Sequence, residues 1–279
     1  MMRIPLGRWI NDGVRALDAA YGTGLRQFAN FVSKNIMDRL ENWLLAVPWW
    51  LLIAIFVFLA WRAGKARLSV GTLIGLMLIY NLGLWSVFVD TLVLVLVSAL
   101  ISILIGVPLG IAGARSDRFH RILSPVLDFM QTMPAFVYLI PALMFFGLGT
   151  VPSIFATVIF SMPPAIRLTD LGIRQVPADL VEVGQSFGSS PGQLLWKIQL
   201  PVAKPTIMAG INQTMMLSLS MVVIASMIGA GGFGEGVLYG IAQMNVGVGF
   251  ENGLAVVILA IILDRLSQGL GRSKRQQSQ

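Results

Sequence analysis

The sequence predicts an all-α protein that crosses a membrane several times, and three observations lead to this fold class. Of its 279 residues, 56 % are apolar and only 12 % are charged, which is more apolar surface than a soluble domain of this length can bury. The apolar residues form runs of roughly twenty, the length of a helix that crosses a bilayer. The Lys and Arg residues cluster between alternate runs. Because a spanning segment can satisfy its own backbone hydrogen bonds only as a helix, each run is predicted to be α-helical.

About seven transmembrane helices are expected from these runs. They cover residues 44–61, 69–89, 91–113, 130–148, 151–168, 207–229 and 252–270. The fourth and fifth runs contain Pro134, Pro141, Pro163 and Pro164, so breaks are expected there. No secretory signal peptide is evident, because the first apolar run follows about forty mixed amphipathic residues and is long enough to span.

The positions of the basic residues predict the orientation of the chain. Basic clusters follow the first, third, fifth and seventh runs, whereas the connections around Asp90 and Gly149 and the stretch from Gly231 to Glu251 contain no Lys or Arg. By the positive-inside rule, the basic connections and the C-terminus are cytoplasmic. Seven spans then place the N-terminus outside, although six basic residues precede the first run. If the first run does not span, the N-terminus is inside.

Composition also limits the chemistry of the chain. It has no Cys and a single His, His120. We interpret His120 as a loop residue and expect no metal site, because the sequence supplies no further ligands at a suitable spacing. The basic clusters are explained by membrane orientation, so no nucleic-acid partner is expected.

The polar connection of residues 169–206 is too strongly patterned for a passive linker. Pro177 suits the first turn of one helix and Gly188 suits its end. Ser190 would cap a second helix, which Pro201 would stop. The pattern predicts a rigid helical elbow on the cytoplasmic side, longer than a connection between adjacent spans requires. We call residues 169–206 the elbow.

The elbow contains Glu182-Val183-Gly184, then Gly188, and then the run from Ile198 to Pro201. This pattern resembles the "EAA" loop of ABC-importer permeases. In that family the loop forms a coupling helix that sits in a groove of the ATP-binding subunit. Val183 and Gly184 replace two alanines, and because both are small, close approach to the partner is expected. The coupling residues that the resemblance implies are Glu182, Val183, Gly184, Phe187, Gly188, Ser189, Ser190 and Pro201.

The resemblance extends over roughly residues 86–270 and is most specific to the glycine betaine/proline betaine permeases. The segments that carry it are residues 131–141, 163–169, 212–232 and 261–265. It implies a type I ABC-importer transmembrane domain. The expected organisation is an external amphipathic N-terminal tail (1–43), two accessory transmembrane helices (44–85), the permease core (86–270) and a basic cytoplasmic tail (271–279).

What the family does sets the expected partners. The resemblance implies an importer in a prokaryotic cytoplasmic membrane that takes up glycine betaine, proline betaine, choline or a similar osmoprotectant. Its partners would be a pair of ATP-binding subunits, an external solute-binding protein, a second permease copy and membrane lipid. The chain contains no GxxxxGK[ST] phosphate loop, so the ATPase is expected to be a separate chain. As the translocation subunit that the resemblance implies, this chain is expected to be neither an enzyme nor a cofactor-binding protein. ATP and Mg²⁺ would bind to the partner ATPase.

Polar residues inside the apolar runs suggest where a solute could pass, since such residues usually face the bundle interior or a watery cavity. The candidate path residues are Gln131, Thr132, Tyr138, Asn212, Gln213, Thr214 and Ser218. Hydrogen bonding between helices is the alternative, and it is favoured for the serines. A glycine-rich run follows, which is either an external gate or a simple turn. The candidate gate residues are Gly229, Gly231, Gly232 and Gly234.

An ion-gradient-driven secondary transporter or a channel for small solutes is the alternative function. A secondary transporter would need carboxylates within the membrane, whereas Asp128 and Asp264 lie near span ends. A channel is compatible with the composition but leaves the elbow unexplained. A membrane enzyme would need a cluster of His, Asp or Glu, and none is visible.

Overall fold

The computed structural model describes residues 12–15 and 17–271, and every regular element in them is helical. The all-α prediction is therefore confirmed. The first eleven residues of the predicted N-terminal tail lie outside the described residues, and so does almost all of the basic tail predicted over 271–279.

We label eleven helices within the described residues. They are α1 (Thr23–Val32), α2 (Asp38–Ala46), α3 (Trp49–Asn81), α4 (Trp85–Arg115), α5 (Asp117–Thr132), α6 (Leu139–Phe146), α7 (Thr150–Arg174), α8 (Ala178–Ser186), α9 (Pro191–Ile228), α10 (Gly232–Ala242) and α11 (Val246–Gly271). Single π-helical turns, Asp18–Gly22 and Ser33–Met37, precede and follow α1.

The number of spans is lower than the seven expected. Within the described residues, four helices are long and apolar enough to cross a membrane, namely α4, α7, α9 and α11. The number rises to six if each of two sharply bent helix pairs counts as one span. The polytopic class is confirmed, and the difference in number comes from α3, α5 and α6.

The first and second predicted spans are two arms of a helical hairpin, α3. The rings of Trp49 and Tyr80 stack with centroids 4.3 Å apart, whereas these positions on a straight helix would lie about 46 Å apart. The helix therefore reverses near its middle, where the sequence carries Arg62 and Arg67. The arms, Trp49–Gly64 and Ala66–Asn81, are each shorter than the roughly twenty residues of a full span.

The fourth predicted span, 130–148, does not form one straight helix. α5 ends at Thr132, and the chain bends by 109° before α6. Met133 and Pro134 are extended, with ψ of 134° and 138°. For Met133 the cause is the ring of Pro134, which disfavours helical backbone at the residue before it. Pro163 and Pro164, in contrast, lie inside α7 without breaking it.

α7 is packed between α4 and α9, and glycines let these helices approach closely. A Cβ added at Gly110 of α4 would lie 2.5 Å from the carbonyl oxygen of Ile166. A Cβ added at Gly210 of α9 would lie 2.9 Å from the carbonyl oxygen of Pro164. Only glycine fits such contacts, which are typical of membrane helix pairs.

Successive connections emerge at opposite ends of this bundle. At one end lie the α4–α5 junction, the elbow and the reversal of α3, where Ala63 meets Gly269 of α11. At the other end, Ser33 Oγ beside α1 is 3.2 Å from Thr150 Oγ1 at the start of α7. The connections in which Lys and Arg cluster therefore lie at the first end, and the connections that lack Lys and Arg lie at the second end. The exceptions are α1 and α2, which carry basic residues but lie at the second end.

Candidate functional site

The elbow is built by two helix caps. Gly188 has a left-handed φ of +76°, which allows the amide of Ser189 to donate to the carbonyl of Gly184 at 3.1 Å and ends α8. Ser190 starts α9 through a capping box: its Oγ accepts from the amide of Gln193 at 3.3 Å, and its own amide donates to Gln193 Oε1 at 2.9 Å. The predicted turn between two short helices is present.

The prediction that Pro201 stops the second helix is wrong. α9 runs without interruption from Pro191 to Ile228, a length of 38 residues. A π-helical turn, Leu195–Gln199, lies directly before the proline. Such a turn shifts the backbone hydrogen bonding and so accommodates a residue that has no amide hydrogen. The elbow and the following membrane helix are therefore one continuous element.

Gly184 faces the inside of the elbow. A Cβ at this position would lie 2.5 Å from Ile198 Cδ1 and 2.8 Å from Leu194 Cδ1. The close approach that Gly184 permits is between α8 and α9, so the expectation that it serves contact with a partner is not supported by its position. Because Gly184 has no side chain, α8 can pack directly against the first turns of α9.

The outer face of α8 is apolar and exposed. Leu180, Val183 and Phe187 are 43 %, 54 % and 87 % exposed, and their spacing of three and four places them on one side of the helix. Glu182 on the same helix is also exposed. An apolar stripe on a polar connection is typical of a protein interaction surface. We call these three residues the α8 stripe.

A group of charged side chains ties the end of α7 to α4 and α5. The side chain of Asp170 is only 8 % exposed. Its Oδ1 accepts from Arg174 Nε at 2.8 Å, and its Oδ2 lies 2.5 Å from His120 Nδ1. Arg174 also donates to Asp117 Oδ1 at 2.7 Å and to the carbonyl of Gly113 at 2.8 Å. We call Asp117, His120, Asp170 and Arg174 the Asp170 cluster.

The Asp170 cluster was not found from the sequence. His120 was interpreted as a loop residue, but it lies in α5, because Ser116 caps that helix by accepting from the amide of Phe119 at 3.3 Å. The signal that could have revealed the cluster is the spacing of Asp170 and Arg174, four positions apart at the end of an apolar run. A buried carboxylate requires such partners.

A second ion pair connects the same two helices closer to the bend. Arg167 Nη2 of α7 donates to Asp128 Oδ1 of α5 at 2.5 Å. Both side chains are largely exposed, at 43 % and 65 %. α5 is thus joined to α7 at two points, at Asp117 in its first turn and at Asp128 closer to the bend.

Two of the candidate path residues in α9 lie in helix interfaces. Ser218 Oγ donates to Ser161 Oγ of α7 at 2.9 Å, and Ser161 Oγ lies 2.9 Å from Ser102 Oγ of α4. Thr214 is fully buried one turn before Ser218. The geometry of Ser218 matches hydrogen bonding between helices.

The other α9 candidates differ in exposure. Asn212 is half-buried and Gln213 is exposed. Gln213 shares a face with Met216, Ser220 and Met227, all of which are exposed. This α9 face is available to a neighbouring molecule or to a solute.

The candidates from the fourth run lie at the bend between α5 and α6. Gln131 and Thr132 are exposed at the end of α5. Tyr138 is buried, its hydroxyl donates to the carbonyl of Met130, and its ring packs edge-on against Phe160 of α7. Tyr138 therefore fastens the bend.

The candidate gate glycines form a tight turn. Gly229, Gly231 and Gly232 all have left-handed backbone, with φ of +83°, +76° and +71°. A Cβ at Gly232 would lie 2.6 Å from Thr91 Oγ1 of α4, and one at Gly234 would lie 2.6 Å from Ser226 Oγ. Turn geometry accounts for these glycines. The turn follows α9 in the chain and packs against the first turns of α4.

Comparison with known proteins identifies the family. The profile described as "Binding-protein-dependent transport system inner membrane component" matches residues 106–276. The chain is 49 % identical to the glycine betaine/proline betaine transport system permease protein ProW of Escherichia coli (strain K12), over 98 % of this chain and 77 % of that protein. It is 52 % identical to the glycine betaine/carnitine transport permease protein GbuB of Listeria monocytogenes serotype 1/2a (strain 10403S), over 98 % of each.

A solved structure shares the fold. A chain of the inward-facing MetNI methionine ABC transporter superposes with a TM-score of 0.63 over 68 % of this chain and 94 % of that chain, at 22 % identity. The fold agreement and the sequence matches lead to one conclusion, which also confirms the resemblance seen in the sequence. The chain belongs to the family of inner-membrane permease components of binding-protein-dependent transport systems.

Proposed function

We propose that this chain is one membrane half of an ATP-driven importer for glycine betaine, proline betaine, choline or a similar osmoprotectant. The observation that carries the proposal is the α8 stripe, which is exposed on an elbow continuous with the membrane helix α9. The solute class comes from the relatives, whose names specify glycine betaine transport.

In this proposal, a pair of cytoplasmic ATP-binding subunits presses on the α8 stripe and on Glu182. Phe187, the most exposed of the stripe, is the principal contact. A displacement of α8 is transmitted to α9, because α8 packs closely at Gly184 against Leu194 and Ile198 of α9. The Asp170 cluster passes the same motion to α5. Alternating access follows as a rigid-body switch between two arrangements of these helices.

The remaining partners follow from the exposed faces. A second copy of the permease packs near the α9 face, with the solute path between the two copies lined by Gln213 and Asn212. An external solute-binding protein delivers the solute near the glycine turn at Gly229–Gly232. ATP and Mg²⁺ bind to the ATPase, and this chain holds no cofactor. The C-terminus is cytoplasmic and the N-terminus external, in a prokaryotic cytoplasmic membrane.

The test is reconstitution with the cognate ATPase and binding protein in liposomes, followed by uptake of labelled glycine betaine with and without ATP. Phe187→Asp should abolish both ATPase co-purification and ATP-dependent uptake, because it places a charge in the stripe. Met244→Asp is the matched control, since Met244 is 90 % exposed but lies away from the elbow, and it should keep the ATPase. Uptake indifferent to ATP would instead support a secondary transporter or channel.

A further inference from the structure

An apolar cavity lies between the first arm of α3 and part of the permease core. It has a volume of about 540 Å³. Phe56 and Leu59 of α3, Leu96 of α4, Met215 of α9 and Leu263 of α11 line it. We call it the hairpin cavity. It lies on the side of α9 away from the exposed face that carries Gln213.

The mainly apolar lining of the hairpin cavity favours an apolar occupant over water. The polar side chains that line it are Arg62 and Ser267, and the hydroxyl of Ser267 already donates to the carbonyl of Asp264 at 2.9 Å. A water molecule needs two or more polar partners, whereas dry apolar cavities take apolar ligands. In a bilayer, the available apolar ligand is an acyl chain.

The arginine at the opening of the cavity favours a ligand that carries a negative charge. Arg62 lies at the reversal of α3, is exposed and has no ion-pair partner among the described residues. Its neighbour Trp61 is 60 % exposed, and exposed tryptophans at helix ends mark the headgroup layer of a membrane. A guanidinium at that depth pairs well with a phosphate.

Two further arginines strengthen the positive potential at the reversal. Arg67 of α3 and Arg265 of α11 line a second cavity, of about 370 Å³, between the hairpin tip and α11. Neither has an ion-pair partner among the residues that the structure describes. The nearby carboxylate of Asp264 accepts from Gln268 Nε2 at 2.7 Å. The net charge around the tip is positive.

We propose that the hairpin cavity is a binding site for one anionic phospholipid. The acyl chain fills the space between α3 and the core, and the phosphate lies against Arg62, with Arg67 and Arg265 adding attraction. Basic pockets between membrane helices on the cytoplasmic side are suited to such headgroups. The lipid seals the contact between the hairpin and the core. This inference does not depend on which solute is transported.

The test compares lipids retained by the purified chain in native mass spectrometry. Phosphatidylglycerol and phosphatidylcholine are offered separately in nanodiscs. The wild type should retain phosphatidylglycerol in preference to phosphatidylcholine. Arg62→Gln should lower the retained phosphatidylglycerol about fivefold, the share expected of one basic side chain at an anionic surface. Arg62→Lys should keep most of it.

The controls test whether the lipid binds at Arg62 and in the cavity, and whether the ligand is a lipid or free phosphate. Arg118→Gln removes an exposed arginine from the same end of the molecule and should leave retention unchanged. Leu59→Trp fills the cavity and should lower retention while Arg62 stays in place. Inorganic phosphate at millimolar concentration should not displace the lipid, because it supplies no acyl chain.

Four results would overturn the proposal. They are equal retention by Arg62→Gln and Arg118→Gln, equal retention of the two lipids, displacement by inorganic phosphate, and unchanged retention in Leu59→Trp. A disulfide between two copies of Leu59→Cys would also overturn it, since a second permease would then occupy the cavity. The chain has no native Cys to confuse that experiment.

Discussion

The helices α4, α7 and α9 meet through glycines, hydroxyls and a buried carboxylate, whereas the α3 hairpin meets the same core partly across an apolar cavity. Backbone contacts as close as that of Gly110 leave no room for relative movement. A cavity wall can give way, because it lacks partner atoms on one side. The core is therefore built to move as a unit and the hairpin to adjust to it. The family match, residues 106–276, covers the core helices from within α4 onward and leaves the hairpin outside.

The largest effect should come from removing the buried charge at the end of α7. Asp170→Ala leaves Arg174 and His120 without their shared partner, and breaking a buried pair in this way is strongly destabilising. We expect a loss of about 3 kcal/mol in the free energy of unfolding. Denaturant unfolding of the purified protein in detergent measures it. A loss below about 1 kcal/mol would mean that the Asp170 cluster is as dispensable as a surface ion pair.

A smaller effect should follow from widening the contact between α4 and α7. Gly110→Ala places a methyl group 2.5 Å from the carbonyl oxygen of Ile166, so one helix must shift, at a cost of about 2 kcal/mol. The control is Gly71→Ala in the hairpin, where an added Cβ meets nothing within 4 Å. That variant should be neutral or slightly stabilising. Equal melting temperatures for the two variants would remove the contrast between core and hairpin.

The exposed ion pair between α5 and α7 should matter less than the buried cluster. Asp128→Asn breaks the pair with Arg167, and because both side chains are largely exposed, we expect a loss of less than about 1 kcal/mol. The same denaturant titration, run beside Asp170→Ala, provides the comparison. A loss as large as that of Asp170→Ala would show that position near the bend matters more than burial.

The smallest effect concerns pH and the N-terminal helices. α2 directly precedes the first arm of α3. Burial raises the pKa of Glu41 in α2 to about 7, with smaller contributions from Asp90 and Asp38. The folded state thus favours the protonated carboxyl. The stability this group contributes is present below pH 4.5 and is lost as pH rises through about 7.

Glu41→Gln should remove this pH dependence, since the amide stays neutral. Glu41 is only half-buried, so the gain at pH 8 should stay below about 1 kcal/mol. Hydrogen exchange of the α2 amides at pH 5 and pH 8, corrected for intrinsic rates, measures it. The same pH dependence in the wild type and the variant would assign the effect to another group.

Local features of the sequence were sufficient for the caps but not for the long-range contacts. Ser190 and Gly188 act within a few residues of themselves, so their roles could be predicted from spacing. The prediction that Pro201 stops the helix was wrong because a π-helical turn precedes the proline. That turn depends on the whole helix and cannot be predicted from any single residue. The pairing of His120 with Asp170 depends on how α5 lies on α7. Nothing local to either residue specifies that arrangement.

The residues inside the spans show the same limit. For serines within an apolar run, the sequence favoured hydrogen bonding between helices over a solute path, and the contact of Ser218 with Ser161 shows which partner Ser218 has. The reversal of α3 was signalled by its basic residues, but the shortness of its arms was not. The number of spans was overestimated for that reason.

The unbroken course of α9 has a mechanical consequence. With 38 residues, the helix is about 57 Å long, and its two ends are the elbow and the glycine turn. Because α7 and α4 are packed against it, the core tilts together with α9: a rotation of about 5° pivoting at the elbow would carry the far end through about 5 Å, roughly one helical turn. A movement at the ATPase too small to disturb the packing of α8 is thus enlarged before it arrives at the opposite face of the membrane.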